Sequence, residues 1–206
     1  IKNIIIVSDT NVQSREIKTR FSRGAKAFCE NGKIYIKEDI SIDVLFHEIL
    51  HYITDDHKGI QIPFVTSYSD EEIDELIDKY GENRFIYIIE QFDESMTRFI
   101  TELAIPEVEI NDSYQYGANV IRKYYEGLIN NGSSVDFIFN MYLNGNQNDF
   151  MKFKESFGNK FLDVLSAIEK ANNVRYYLFK QSSDKTISND EVDLIVNDAV
   201  NMLMVK

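Results

Sequence analysis

His47 and His51 stand four positions apart in a segment whose apolar residues, Ile42, Leu45, Phe46, Ile49 and Ile53, recur at helical spacing. At ~100° per residue, side chains four apart on a helix stack on one face about 40° from each other, so both imidazoles can reach a single ion. The apolar stripe falls nearly opposite them, which predicts a helix anchored in a core on one side and facing a cleft on the other. Ser41 is placed to cap its start. A metal centre that does chemistry wants three protein ligands and an open position, so the fold must deliver a third donor from another segment.

Glu48 follows the first histidine and falls on the flank of the same face. A carboxylate there can bond a water on the metal without binding the metal itself. Glu48 is therefore the expected general base: zinc lowers the pKa of the water, Glu48 takes its proton as the water attacks a peptide carbonyl, and the same group protonates the leaving amine.

The rest of the chain frames this helix. Asn3 to Val7 is a short β-branched run ended by Ser8-Asp9-Thr10 and predicts a first buried strand, followed by a helix over about Val12 to Phe21. Gly24 to Glu30 and Lys33 to Lys37 flank Asn31-Gly32, a dipeptide that favours a tight hairpin turn because both positions tolerate positive φ. Residues from about Asp55 to Ser67 read as irregular, and Ser69-x-x-Glu72 is a capping box that opens an acidic helix ending near Gly81. Phe85 to Ala104 predicts a long helix stopped before Pro106. The remainder reads as helical, with breaks near Asn130 to Ser134, Asn144 to Asn148 and Gln181 to Ser188. A small sheet with an early helix, then the histidine helix, then a helical lobe makes an α+β fold. At 206 residues the chain is expected to form one unit, with an α/β lobe over 1–58 and a helical lobe over 59–206.

His47-Glu48-Ile49-Leu50-His51-Tyr52-Ile53-Thr54-Asp55 resembles the HExxHxxTD of thermolysin-like metallopeptidases, the gluzincins. Asp93-Glu94-Ser95-Met96-Thr97-Arg98-Phe99-Ile100-Thr101 is similar to the E-G-x-T-x-[YF]-x-T segment of some bacterial gluzincin-like proteins, with Ser95 where glycine is usual. The resemblance covers about Gly24 to Thr101. It implies a zinc ion held by His47, His51 and Glu94, and a strand of the hairpin, Gly24 to Glu30 or Lys33 to Lys37, that binds substrate backbone by edge pairing. The pattern agrees with helical spacing: Ile88, Ile89, Phe92, Met96, Phe99 and Leu103 form one apolar stripe, leaving Glu94, Thr97 and Thr101 opposite, where small threonines permit close approach to the histidine helix. Glu90 lies on that face too.

His57 is the rival third ligand, at the spacing of the metzincin HExxHxxGxxH. That pattern needs glycine at position 54, where this chain has β-branched Thr54. Arg98 stands where the thermolysin type has an Asp, so a carboxylate that orients a zinc histidine must come from elsewhere, Asp55 or Asp93. The chain is also similar, with Phe99 and Pro106 one residue out of register, to a segment of repressor-cleaving peptidases of phages and mobile elements. Tyr114, and beside it Tyr116, are the candidate donors to the oxyanion of the transition state.

Composition narrows the partners. A formal charge of −12 with no basic segment argues against nucleic acid, whose affinity rests on Lys and Arg. No apolar run approaches the roughly 18 to 20 residues that span a bilayer, so no membrane span is expected. The lone Cys29 excludes an internal disulfide and suits a reducing, cytoplasmic setting, while a start at Ile1 without Met leaves room for upstream sequence and secretion. The expected function is zinc-dependent hydrolysis of a peptide or protein substrate. The alternatives are a metal-containing binding module without catalysis, and a regulatory protease of a phage or mobile element that cleaves one protein partner.

Overall fold

The structure, a computed structural model, describes residues 4–7, 15–22, 25–54, 67–107 and 114–173, together with positions 194, 197 and 201. A three-stranded sheet comes first: β1 (Ile4–Ile6), β2 (Ala27–Glu30) and β3 (Lys33–Ile36), with α1 (Arg15–Ser22) between β1 and β2. The helices that follow are α2 (Ile42–Thr54), α3 (Asp70–Tyr80), α4 (Glu82–Ala104), α5 (Gln115–Asn130), α6 (Asp136–Asn144), α7 (Gln147–Phe157) and α8 (Phe161–Asn172). The fold is α+β, a small N-terminal sheet followed by a helical lobe, as the sequence predicts.

Strand order is β1-β3-β2, with β3 central, parallel to β1 and antiparallel to β2. The β2–β3 hairpin turns at Asn31 and Gly32, at φ 51° and 65°. Those angles are cheap for glycine and tolerated by asparagine, which is why this dipeptide closes a two-residue loop. Pairing of Glu30 with Lys33 next to the turn fixes the register, and it continues as Cys29 with Ile34, Phe28 with Tyr35 and Ala27 with Ile36. Phe28 stacks on Tyr35 and tilts against Phe21 of α1, so these rings share one face of the sheet. Ile34, fully buried, takes the opposite face. β1 differs from the buried strand expected of it, because it is an outer strand and Ile6 is 53 % exposed.

The capping box forms as the sequence implies: the Glu72 backbone N–H donates to Ser69 Oγ at 3.2 Å, and the Ser69 N–H donates to Glu72 Oε2 at 2.8 Å. Gly81, at φ 81°, ends α3 and starts α4, so α4 begins at Glu82 and not at Phe85. It ends at Ala104, and the Ile105 N–H donates to the Thr101 carbonyl. The breaks expected near Asn130 and Asn144 are present. A further one, a 3₁₀ turn at Gly158–Lys160 with Gly158 at φ 55°, divides α7 from α8. The break expected at Gln181 to Ser188 lies outside the described residues.

α4 is the axis of the helical lobe. Phe92, Met96 and Phe99 are fully buried, but so are Ser95, Thr97 and Thr101 on its other sides, because α2, α5 and α8 all pack on it. Against α5 and α8 the contact is polar and tight. Asn172 Oδ1 accepts the Gly117 N–H at 2.8 Å, and its Nδ2 donates to Ser95 Oγ at 2.9 Å and to Gln91 Oε1 at 3.1 Å. On the remaining side Glu94 meets the histidines of α2. No helix among the described residues is long and apolar enough to cross a membrane.

Candidate metal centre

α2 is held between the sheet and the helical lobe, touching β2 and β3 on one side and α4 and α6 on the other. This corrects the orientation expected from its apolar stripe. Ile42 and Ile53, predicted to anchor the helix, are 64 % and 51 % exposed, whereas Asp43, Glu48, Leu50 and Thr54 are buried. An amphipathic pattern assumes one buried side, and a helix packed on two sides obeys a different rule. The histidine face looks into the protein, toward α4.

The imidazoles of His47 and His51 meet edge to face, with ring centroids 4.8 Å apart. Their Nε2 atoms are 3.1 Å from each other, and each faces the same oxygen of α4, Glu94 Oε2, at 3.2 Å from His47 and 3.4 Å from His51. Three donor atoms thus form a nearly equilateral triangle. A tetrahedral zinc ion with bonds of about 2.0–2.1 Å has donor atoms about 3.3–3.4 Å apart, so the donors stand at the spacing such an ion requires. Two Nε2 atoms at 3.1 Å with a carboxylate on both are also chemically suited to zinc: neutral imidazoles and one negative oxygen. Among the described residues this is the one group of three such side chains close enough to share an ion.

Electrostatics match the geometry. Burial disfavours a charged His51, but the hydrogen bond to Glu94 and the charges of Glu94, Asp93 and Glu48 outweigh it and raise its pKa to about 9. Burial pushes Glu94 up, and the hydrogen bonds and charges of both histidines more than reverse this, holding it well below the usual carboxylate range. The protein alone thus stabilises a positive charge between these groups.

Glu48 is buried, 9 % exposed, beside the triangle. Burial raises its pKa; His47 and His51 pull it down, Glu94 pushes it up, and a hydrogen bond from the Cys29 backbone N–H pulls it down. The Cys29 donor follows from the hairpin register. The Lys37 N–H donates to the Lys26 carbonyl, and the Val7 N–H donates to the Ile36 carbonyl from the other side. In an antiparallel ladder the inward-bonding residues alternate, so Lys26, Phe28 and Glu30 bond to β3, and the backbone groups of Ala27 and Cys29 point away from it. Of the two hairpin strands nominated from the sequence, β2 lies at an edge of the sheet and β3 at its centre.

The remaining candidates are distributed as follows. Asp93 is buried and its charge acts on His51, whereas Asp55 and His57 lie outside the described residues. Glu90 is exposed and is not part of the triangle. Thr97 and Thr101 are fully buried. Arg98, 1 % exposed, donates to Glu102 Oε1 at 2.7 Å, and Arg122 of α5 bonds the other oxygen of Glu102. Tyr114 immediately precedes α5, and Tyr116 in its first turn packs against the core. Sequence reasoning missed Tyr142 of α6. It is fully buried, and its hydroxyl shares a hydrogen bond with that of Thr97. Nothing distinguishes it by spacing from the other eleven tyrosines. Searched against protein-family models, curated proteins and solved structures, the chain matches none of them.

Proposed function

We propose that the chain is a zinc-dependent peptide hydrolase of the gluzincin kind, with His47, His51 and Glu94 as ligands and Glu48 as general base. The observation that carries this reading is the triangle of donor atoms, 3.1, 3.2 and 3.4 Å on its sides. Zinc held there supplies a Lewis acid that acidifies a water and polarises a carbonyl oxygen. Glu48 takes the proton of the water that attacks the peptide carbon and returns it to the nitrogen as the C–N bond breaks. Its raised pKa, caused by burial, suits it to both transfers.

The substrate in this reading is an extended peptide. β2 lies at an edge of the sheet, where the outward backbone groups of Ala27 would pair with it, and the Cys29 N–H, taken up by Glu48, puts that edge beside the base. Tyr114 and Tyr116 remain the proposed oxyanion donors. The test is to measure zinc in the purified, reconstituted protein and cleavage of a broad peptide library. About one zinc per chain is expected, with cleavage that Glu48→Gln lowers by about 10²-fold or more while zinc stays bound. No zinc would end the reading. Zinc without cleavage would favour a binding module.

A further inference from the structure

Asn172, the last residue of α8, reaches both α4 and α5. Its Nδ2 donates to Ser95 Oγ at 2.9 Å, to Gln91 Oε1 at 3.1 Å and to the Gln91 carbonyl at 3.4 Å, all on α4. Ser95 Oγ in turn donates to the Gln91 carbonyl at 2.7 Å, which leaves its lone pairs to accept from Asn172. The Asn172 Oδ1 accepts the Gly117 N–H of α5 at 2.8 Å. Gly117 is in the first turn of α5, where amides have no partner inside the helix, and the Ala118 N–H is the one that bonds the Tyr114 carbonyl. One side-chain amide thus caps α5 and grips α4 at the residue next to Glu94.

The contact has no slack. A Cβ on Gly117 would lie 2.2 Å from Ser95 Oγ and 2.7 Å from Asn172 Oδ1, and Asn172, Gln91 and Ser95 are buried, where a lost bond is costly. At ~100° per residue, Glu94 projects about 60° from Gln91 and about 100° from Ser95 around α4. A carboxylate about 6 Å from the helix axis moves by ~1 Å when the helix turns by about 10°. A metal site tolerates about 0.2 Å in its ligand distances. The separations of Glu94 Oε2 from His47 and His51, 3.2 and 3.4 Å, therefore depend on how α4 is held on its other side.

We infer that Asn172 is a positioning residue of the metal centre: by joining the first turn of α5 to Gln91 and Ser95, it fixes the rotation and depth of α4 and so aims Glu94 at the two histidines. This rests on the proposed zinc site. Asn172 is not a ligand and acts through α4. Its removal is expected to loosen the metal as loss of an outer support typically does, by about 10-fold.

The experiment compares wild type with Asn172→Leu, Gly117→Ala and Phe161→Leu. Asn172→Leu keeps a branched side chain of similar shape and removes all of these bonds. Gly117→Ala keeps Asn172 and drives a methyl group toward Ser95, so it displaces α4 at the same place. Phe161→Leu, at the other end of α8, thins the ring contacts with Phe150, Phe153 and Phe157 and is the control for lost stability alone. Zinc affinity is read by competition with a chelator, ligand geometry by the visible spectrum of the cobalt(II)-loaded protein, and folding by circular dichroism. Asn172→Leu and Gly117→Ala should fold, bind zinc about 10-fold more weakly and shift the cobalt bands. Phe161→Leu should lose stability and keep wild-type affinity and spectrum. Wild-type affinity and spectrum in folded Asn172→Leu would overturn the inference, as would an equal loss of affinity in Phe161→Leu. If Asn172→Leu does not fold, Gly117→Ala decides by the same criterion. A wild type that binds neither metal removes the zinc site and the inference together, and that result appears before any variant is made.

Discussion

Glu94 Oε2 stands 3.2 Å from His47 Nε2, although 47 positions separate the two residues in the chain. Two helices have to converge to within a hydrogen bond to make this contact, and the polar groups at the contact make no sense as core filling. That convergence has consequences for metal binding, for pH and for packing.

Removing the carboxylate should undo the centre. Glu94→Ala leaves two imidazoles, and zinc affinity should fall by about 10²-fold or more, with peptide cleavage falling alongside it. His57→Ala should change either by less than about 3-fold, since Thr54 ends α2 without the glycine that a return of the chain to the metal requires. Zinc content measured in both variants decides. A zinc site that survives loss of Glu94 and vanishes with His57 would make the centre metzincin-like.

The metal-free protein should weaken in alkali. His51 titrates near 9 when folded, above the ordinary 6.5, so between these values the folded chain holds more protons than the unfolded one. Stability from this group is whole below about pH 6.5, declines as pH rises and is lost beyond about pH 9. Glu94 runs the other way: its lowered pKa adds stability above the ordinary carboxylate range that is lost in acid. Melting temperatures in EDTA should therefore fall from about pH 6.5 to pH 9.5. Zinc binding near pH 7.5 should release a proton, because the ion and the His51 proton compete for the same Nε2. A melting temperature that climbs across that alkaline range would contradict this account.

Gly117→Ala should destabilise the helical lobe. A Cβ there would lie 2.2 Å from Ser95 Oγ and 2.7 Å from Asn172 Oδ1, both held in a buried network. Helix propensity alone would favour alanine by about 1 kcal/mol, so a net loss of about 1–3 kcal/mol in denaturant titration isolates the clash. Adding Ser95→Gly should recover much of the loss, because it removes the nearer atom.

Much of the fold was legible because its signals are local. Ser69 and Glu72 meet within one turn, and Asn31-Gly32 closes a loop whose two ends are adjacent, so neither needs the rest of the protein. The pairing of His47 with His51 was legible for the same reason. The side of α2 that is buried was not, because Ile42 and Ile53 mark one apolar stripe while the sheet and the helical lobe cover others. Tyr142 was invisible for a related cause: its partner Thr97 meets it only after α4 and α6 have packed. The break at Gly158 had a signal in the glycine itself, at φ 55°.

The two-residue turn at Asn31-Gly32 also works as a parity switch for the site. Side chains and backbone groups of a strand alternate with period two, so a loop longer by one residue would move every group on β2 by one step. Phe28 and Glu30 would then present their amides to the open edge, and the Cys29 N–H would turn toward β3, away from Glu48. Glu48 would lose a fixed positive dipole, and a peptide lying along the edge would be offset by one residue. A turn remote from Glu48 thus sets the backbone dipole that this carboxylate meets and, under the proposed function, the frame in which a peptide would be read.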